Sequence, residues 1–272
     1  MTTAEISPSP TVDTLAGNAG RATYFDDYAH LAMERDEHGV LLVTMNDGVG
    51  GPITFSAQDH TEFTDAFYRI GRDMDNKVVI LTGATDYMAA IDFATFLDSS
   101  DPNASLRVFD EGVQILENLL NIHVPVIAAI EGQALIHTEY ALTANMVIAG
   151  QSATFGDLPH FAGGIVPGDG VFTAWAHRAG HARAEAWLLN PEPISAQTAQ
   201  QWGVVGEVVA DGTAVARARE LASLYLTKPE ITRRNTRVHF AQPMKEEIVA
   251  RVAFGITLEE ASIAALVEAM NQ

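Results

Sequence analysis

Side chains able to do chemistry cluster between positions 137 and 169. His160 and Asp169 stand nine residues apart across a run dense in glycine and proline, Phe161-Ala162-Gly163-Gly164-Ile165-Val166-Pro167-Gly168-Asp169-Gly170. That spacing lets a loop fold back and bring a carboxylate to an imidazole. A carboxylate at one ring nitrogen fixes the tautomer and raises the basicity, so the other nitrogen can take a proton from water. Without a serine or cysteine nucleophile, such a couple activates water directly. Spacing alone also allows a plainer role, a histidine and an aspartate that only satisfy loop amides. His137 follows the apolar run ending at Ile130 in a helix-start position, where it could be a site residue or a hydrogen-bonded packing residue.

Histidines and a carboxylate can also make a zinc site. For His137, His160 and a carboxylate no HxxxH or HExxH spacing supports one, so no metal is expected there. Nothing resembles GxxxxGK[ST] or a strand-coupled GxGxxG, so no phosphate-cradling loop and no cofactor are expected either.

The elements that must position these residues are readable from periodicity. Val40–Met45 is β-branched and apolar, a strand closed by Asn46-Asp47-Gly48. Lys77–Gly83, Val124–Ile130 and Met146–Ala149 read as further strands, the first two apolar enough to be buried on both faces. Phe63, Phe67 and Ile70 recur at helical spacing within 59–72, and Val113, Leu116, Leu119 and Leu120 do so within 106–120. Strand–helix–strand alternation implies a largely parallel sheet with crossover helices. Ligands gather in such sheets where strands end and helices begin, and the junctions 130–137 and 153–170 are of that kind. Beyond Gly170 the chain turns helical: 173–189, 196–202, 214–226 and a last helix from about 246 to 270, with one short strand at 204–209. The domain reading is a polar tail over 1–22, a core over 23–210 and a helical C-terminal region over 211–272. No internal sequence repeat is visible.

Bulk properties narrow the function classes. Of 272 residues, 47% are hydrophobic and 19% charged, which is ordinary material for one large globular unit. There is no cysteine, hence no disulfide or thiolate chemistry, which suits the cytoplasm. No apolar run reaches membrane-spanning length, and the first residues lack the pattern of a secretory signal. The formal net charge of −19 repels polyanions, so nucleic acid is excluded as a partner. The same field weighs against substrates carrying several phosphates, such as coenzyme A esters.

From about Tyr28 to Gln272 the sequence resembles the crotonase superfamily, the enoyl-CoA hydratase/isomerase relatives. Lys77–Gly83, Val124-Pro125-Val126-Ile127-Ala128-Ala129-Ile130-Glu131-Gly132, Ala153–Gly170 and Ala199–Val209 carry the likeness by their order and spacing. The resemblance implies an α/β fold, a spiral of ββα units with a helical C-terminal region, assembled as a homotrimer or a dimer of trimers. It also shows departures. Where hydratases of the superfamily keep two glutamates, this chain has Tyr140 and His160. His137 replaces a glycine of the family's oxyanion hole, whose other donor would be the Ile91 N–H. A standard hydratase is therefore not expected.

These substitutions look instead like the superfamily's β-diketone hydrolases, of the 6-oxocamphor hydrolase kind, which cleave a C–C bond in cyclic β-diketones. That likeness implies catalytic roles for His137, His160, Asp169 and Glu259. Phe55 stands where those enzymes have an active-site tryptophan, and with Ile91, Phe93 and Phe96 it is expected to line the substrate pocket. The implied reaction is a retro-Claisen hydrolysis needing no cofactor. His160, oriented by Asp169, would activate water, and His137 would hold the second carbonyl as charge develops. Glu259 would hold His137 or carry a proton to the enolate carbon. Without the resemblance, Glu259 reads as a solvated carboxylate on a helix face. Two other functions fit the same sequence: an enzyme of coenzyme A thioesters with His160 as base, and a non-catalytic crotonase-fold binding subunit.

Overall fold

Alternating apolar side chains of the strands face two different packed layers, and this decides the architecture. The computed structural model describes residues 22–97, 103–190 and 192–270; the tail expected over 1–22 lies outside them except for Ala22. In chain order the elements are β1 (Leu31–Arg35), β2 (Val40–Met45), β3 (Thr54–Phe55), α1 (Ala57–Arg72), β4 (Val78–Gly83), β5 (Ala90–Ile91) and α2 (Ala104–Leu120). There follow β6 (Val126–Ile130), β7 (Gln133–Ala134), α3 (Thr138–Leu142), β8 (Met146–Gly150), β9 (Thr154–Phe155) and α4 (Val171–Ala179). The chain closes with α5 (His181–Leu188), β10 (Ile194–Ser195), α6 (Ala196–Gln201), β11 (Glu207–Val209), α7 (Ala214–Leu226) and α8 (Glu230–Met270).

The long strands form one sheet in the order β1-β2-β4-β6-β8-β11. All its pairings are parallel except β1 with β2. Parallel neighbours need a crossover, and each crossover here also lays down short strands, one in each of the first three and two, β9 and β10, in the last. β3 pairs with β5, β7 with β9, and a bridge from Met88 to Ala134 links the two sets. Long strand, short strand and helix thus recur four times, as β2-β3-α1, β4-β5-α2, β6-β7-α3 and β8-β9-α4. This is the ββα spiral. The repeat is one of topology, because each turn packs against different neighbours and so needs different side chains.

Period-two alternation sorts the strand residues between the layers. Val79, Leu81, Val126, Ala128 and Ile130 join the large core that includes α1, α2 and α4. Val78, Ile80, Ile127, Ala129 and Ile148 pack instead on Ala214, Ala218 and Ala222 of α7.

Three expectations change. The region 173–189 is two helices, α4 and α5, separated at Gly180, whose φ of +92° ends the first. The strand expected over 204–209 is paired only over β11. The last helix begins sixteen residues earlier than read, at Glu230, and runs through Pro243. A proline there removes a backbone donor and costs about 3 kcal/mol, which is why the pattern reads as a start after it. Tertiary contacts hold the helix across the proline. The Arg237 guanidinium donates to the carbonyls of Leu119, Ile122 and Thr143, and the Lys245 ammonium to Asn121 Oδ1. Met244, Ile248, Val252 and Ile256 place α8 in the same core as the sheet. Among the described residues no helix is long and apolar enough to cross a membrane.

Candidate active site

A cavity of about 640 Å³ opens between the 3-10 turn Phe93–Leu97, the start of α2 and the last third of α8. Its walls are largely apolar, with Phe93, Phe96, Val108, Ile256, Ile263 and Val267 among them. His137, His160, Asp169 and Glu259 meet at one end of it.

His137 caps the start of α3 in the left-handed region, with φ 47° and ψ 41°. It is the one non-glycine residue at positive φ among the described residues. Such a backbone persists only where surrounding contacts fix it, and here the contacts are plain. The Tyr140 ring lies parallel to the imidazole, centroids 4.8 Å apart, and the Phe55 ring meets it edgewise at 4.5 Å. Nδ1 is 2.7 Å from Glu139 Oε1 and 3.2 Å from Asp169 Oδ2.

His160 is held in a similar way by a different acid. Its Nδ1 is 2.6 Å from Asp157 Oδ1, three residues earlier in the turn before the Phe161–Gly163 segment. Its Nε2 looks toward Asp169 Oδ2 at 3.5 Å and Glu259 Oε1 at 3.7 Å. Asp169 lies between the two imidazoles and uses its other oxygen to accept the Val171 N–H at the start of α4.

Glu259 reaches the cluster because α8 crosses the loop carrying Asp169 at very short range. Gly168 and Gly255 face each other there, and a Cβ on either would overlap the other's carbonyl oxygen. The Ser262 hydroxyl clamps the crossing, accepting the Val166 N–H and donating to the Glu259 carbonyl.

Charge balance follows from this packing. Burial alone would lower the His137 pKa, but the Glu139 charge, the nearby Asp169 carboxylate and the hydrogen bond His137 donates to Glu139 outweigh it and raise it to about 10. Burial acts the same way on His160, and the Asp169 charge, the hydrogen bond to Asp157 and the nearby Glu259 carry it well above the usual imidazole range. Burial would raise Asp169, yet the facing His160 and His137 hold it well below the carboxylate range. Burial and the Asp169 charge lift Glu139 to about 7 against the pull of His137. Burial also raises Glu259, opposed by its contact with His160. At neutral pH the site therefore rests with both imidazoles cationic among carboxylates.

Two groups bring three potential ligand atoms within 4.8 Å of one another: His137, Glu139 and Asp169, and His160, Asp169 and Glu259. Ligands on one tetrahedral zinc stand about 3.3 Å apart, whereas His137 and Glu139 are already at hydrogen-bond distance. In the second group His160 Nε2 is 3.5 Å from Asp169 Oδ2 and 3.7 Å from Glu259 Oε1, near that spacing.

Four expectations meet the geometry here. Ile91, Phe93 and Phe96 lie on the cavity wall. Phe55 does not: it is fully buried behind His137 and shapes the site by supporting that ring. The acid that fixes the His160 tautomer is Asp157, because Asp169 faces the opposite ring nitrogen. Glu259 contacts His160, not His137, since α8 passes on the Gly168 side of the loop. Sequence reasoning missed Asp157 and Glu139, although the spacings Asp157-x-x-His160 and His137-x-Glu139 were there to be read. It also missed His60, a cavity-wall residue whose Nδ1 is 3.0 Å from Glu111 Oε2.

Comparison with known proteins agrees with this fold. The chain is 34% identical over 188 residues to a 2,3-dehydroadipyl-CoA hydratase of Escherichia coli, covering 68% of this chain and 71% of that one. It is 32% identical to a carnitinyl-CoA dehydratase of Proteus mirabilis, covering 61% and 64%. Among solved structures, a β-diketone hydrolase from the cyanobacterium Anabaena sp. PCC 7120, bound to (S)-3-oxocyclohexyl acetic acid, superposes with a TM-score of 0.87. The identity is 40%, over 90% of this chain and 98% of that one. The enoyl-CoA hydratase/isomerase family model matches residues 35–267, most of the described chain, and the chain belongs to the enoyl-CoA hydratase/isomerase family.

Proposed function

We propose that the protein hydrolyses a C–C bond of a cyclic β-diketone by a retro-Claisen reaction that needs no cofactor, giving a keto acid. The observation that carries this reading is the pair of imidazoles at one end of an apolar cavity. Each is tied at Nδ1 to its own carboxylate, and His160 stands where hydratases of the family keep an acid. Likeness to the Anabaena hydrolase supports it.

Each group has a task in that reaction. Apolar walls suit an alicyclic body. Water held near His160 Nε2 and Glu259 Oε1 attacks one carbonyl, and its proton passes to this group. Because His160 rests as a cation, it acts as base only together with Glu259 and Asp169, whose oxygens lie 3.7 and 3.5 Å from its Nε2. Collapse of the tetrahedral adduct breaks the bond to the carbon between the carbonyls, and the electron pair moves to the second carbonyl oxygen. The His137 imidazolium faces that developing charge.

Cleavage of bicyclo[2.2.2]octane-2,6-dione tests the reading, since water addition and ring opening would give a 3-oxocyclohexyl acetic acid. The wild-type protein should form it, and His160→Ala should lower the rate by about 10²–10⁴-fold. No cleavage of this or of monocyclic β-diketones would overturn the reading.

Names of the sequence relatives favour a second reading, an enzyme of coenzyme A thioesters. Glu260 and Glu268 on the cavity wall and the net charge of −19 oppose an anionic nucleotide. Calorimetry with free coenzyme A separates the two readings, and micromolar binding would favour the thioester.

A further inference from the structure

We infer that Glu139 is a positioning residue that keeps His137 charged, so that His137 can lend a proton to the departing enolate oxygen and take it back. The inference rests on the β-diketone reading and adds to it a residue with a defined part in the proton traffic.

Geometry leaves His137 one free direction. Tyr140 covers its face, the Phe55 edge packs on the ring, and Glu139 occupies Nδ1. The ring nevertheless lies on the cavity wall, so Nε2 is the nitrogen that can meet substrate. Glu139 itself is fully buried in the first turn of α3, and its second oxygen has no hydrogen-bond partner among the described residues. A buried carboxylate with one oxygen on an imidazole and the other unsatisfied is costly to keep. Packing alone would be served by a neutral residue of the same shape, so the negative charge calls for a role. That role is to hold a proton on the neighbouring ring.

Atoms balance on this path. Water adds to the first carbonyl and its proton goes to the His160–Glu259 group. As the C–C bond breaks, the electron pair reaches the second oxygen and His137 Nε2 gives that oxygen its proton, forming an enol. The His160–Glu259 group then protonates the carbon, the enol O–H proton returns to His137 Nε2, and ketone and acid leave. His137 ends as it began, so its charge must be restored each cycle by a fixed neighbour. Asp169 also faces Nδ1 but is shared with His160.

Groups around His137 are Glu139 and Tyr140 on α3 and Asp169 before α4, with His160 and Glu259 of α8 beyond Asp169 and acting through their charge. Tyr87, after β4, adds a buried hydroxyl on the Glu139 side. Removing one charge from this set, with no loss of shape, isolates the role of Glu139.

The test uses Glu139→Gln, which keeps an acceptor for Nδ1–H, and Glu139→Asp, which keeps the charge. Imidazole resonances of ¹⁵N-histidine protein are titrated for each, with His137→Gln to assign the signal. In wild type the His137 imidazole should stay cationic to about pH 10. In Glu139→Gln its midpoint should fall by at least about one unit. The alkaline limb of the kcat profile for the bicyclic diketone should move down by the same shift, which for one unit is about a twofold loss at pH 9 and about fivefold at pH 10, with KM little changed and near-normal rates at pH 6. Glu139→Asp should restore most of the plateau. An unmoved His137 midpoint, or an unmoved alkaline limb beside a moved midpoint, overturns the inference. If wild type cleaves no diketone, the reaction reading fails by itself while the titration still decides whether Glu139 sets the charge of His137.

Discussion

Asp157 Oδ1 lies 2.6 Å from His160 Nδ1, closer than the other carboxylates around that ring, and both side chains are buried. An acid at Nδ1 directs Nε2 into the site and stabilises the imidazolium. Asp157→Asn keeps the shape and removes the charge. We expect kcat for the diketone to fall by about 10²–10⁴-fold, as when a catalytic histidine loses its orienting acid, with KM little changed. Rates within about threefold of wild type would show that Asp169 alone suffices.

Phe55 is a support of the site and not part of its wall. Phe55→Ala opens a hole behind His137 and should cost about 3–5 kcal/mol of stability, read by chemical denaturation. Activity of the folded fraction should drop through kcat, because His137 loses its edge contact. A rise in KM with stability preserved would instead put the ring against substrate.

Gly255 separates helix propensity from packing. In an open helix, Gly→Ala gains about 1 kcal/mol. Here the added methyl meets the Gly168 carbonyl, so Gly255→Ala should lose about 1–3 kcal/mol. A lower thermal midpoint together with reduced kcat would follow from α8 moving Glu259 away from His160. A higher midpoint with unchanged kcat would contradict the close crossing.

Stability should carry the signature of the buried cluster. The His137 pKa is raised in the folded state, so its contribution is fully present below the unfolded value of 6.5 and is lost as pH rises through about 10. Glu139 acts with the same sign at lower pH: its raised value makes stability decline between pH 4.5 and about 7. Asp169, lowered on folding, contributes above its unfolded value of 3.8 and loses that contribution as pH falls through its lower folded value. The stability difference between wild type and His137→Gln should therefore be largest near pH 6 and shrink toward pH 10. A constant difference would show that His137 does not change charge over that range.

Dialysis against a chelator should leave diketone cleavage unchanged. Loss of activity, with recovery on adding zinc, would turn the His160, Asp169 and Glu259 group into a metal centre.

Much of this protein is settled by one-dimensional pattern. The buried strands β4 and β6 and the helices α1 and α2 follow from apolar periodicity, because burial on one or both faces imposes that period whatever the fold. His137, His160 and Asp169 stood out because their types carry chemistry and their loop is rich in glycine and proline. Tertiary structure decided which acid serves which ring. Asp157, Glu139, Asp169 and Glu259 are interchangeable on paper, and only the turn at 157–160, the left-handed His137 and the Gly168–Gly255 crossing assign each to a nitrogen. It also moved Phe55 from wall to support and carried α8 through Pro243, since contacts distant in sequence outweigh a local preference of a few kcal/mol. Residue types name the available chemistry, but directions in space assign it, and those are fixed by packing between segments far apart in the chain.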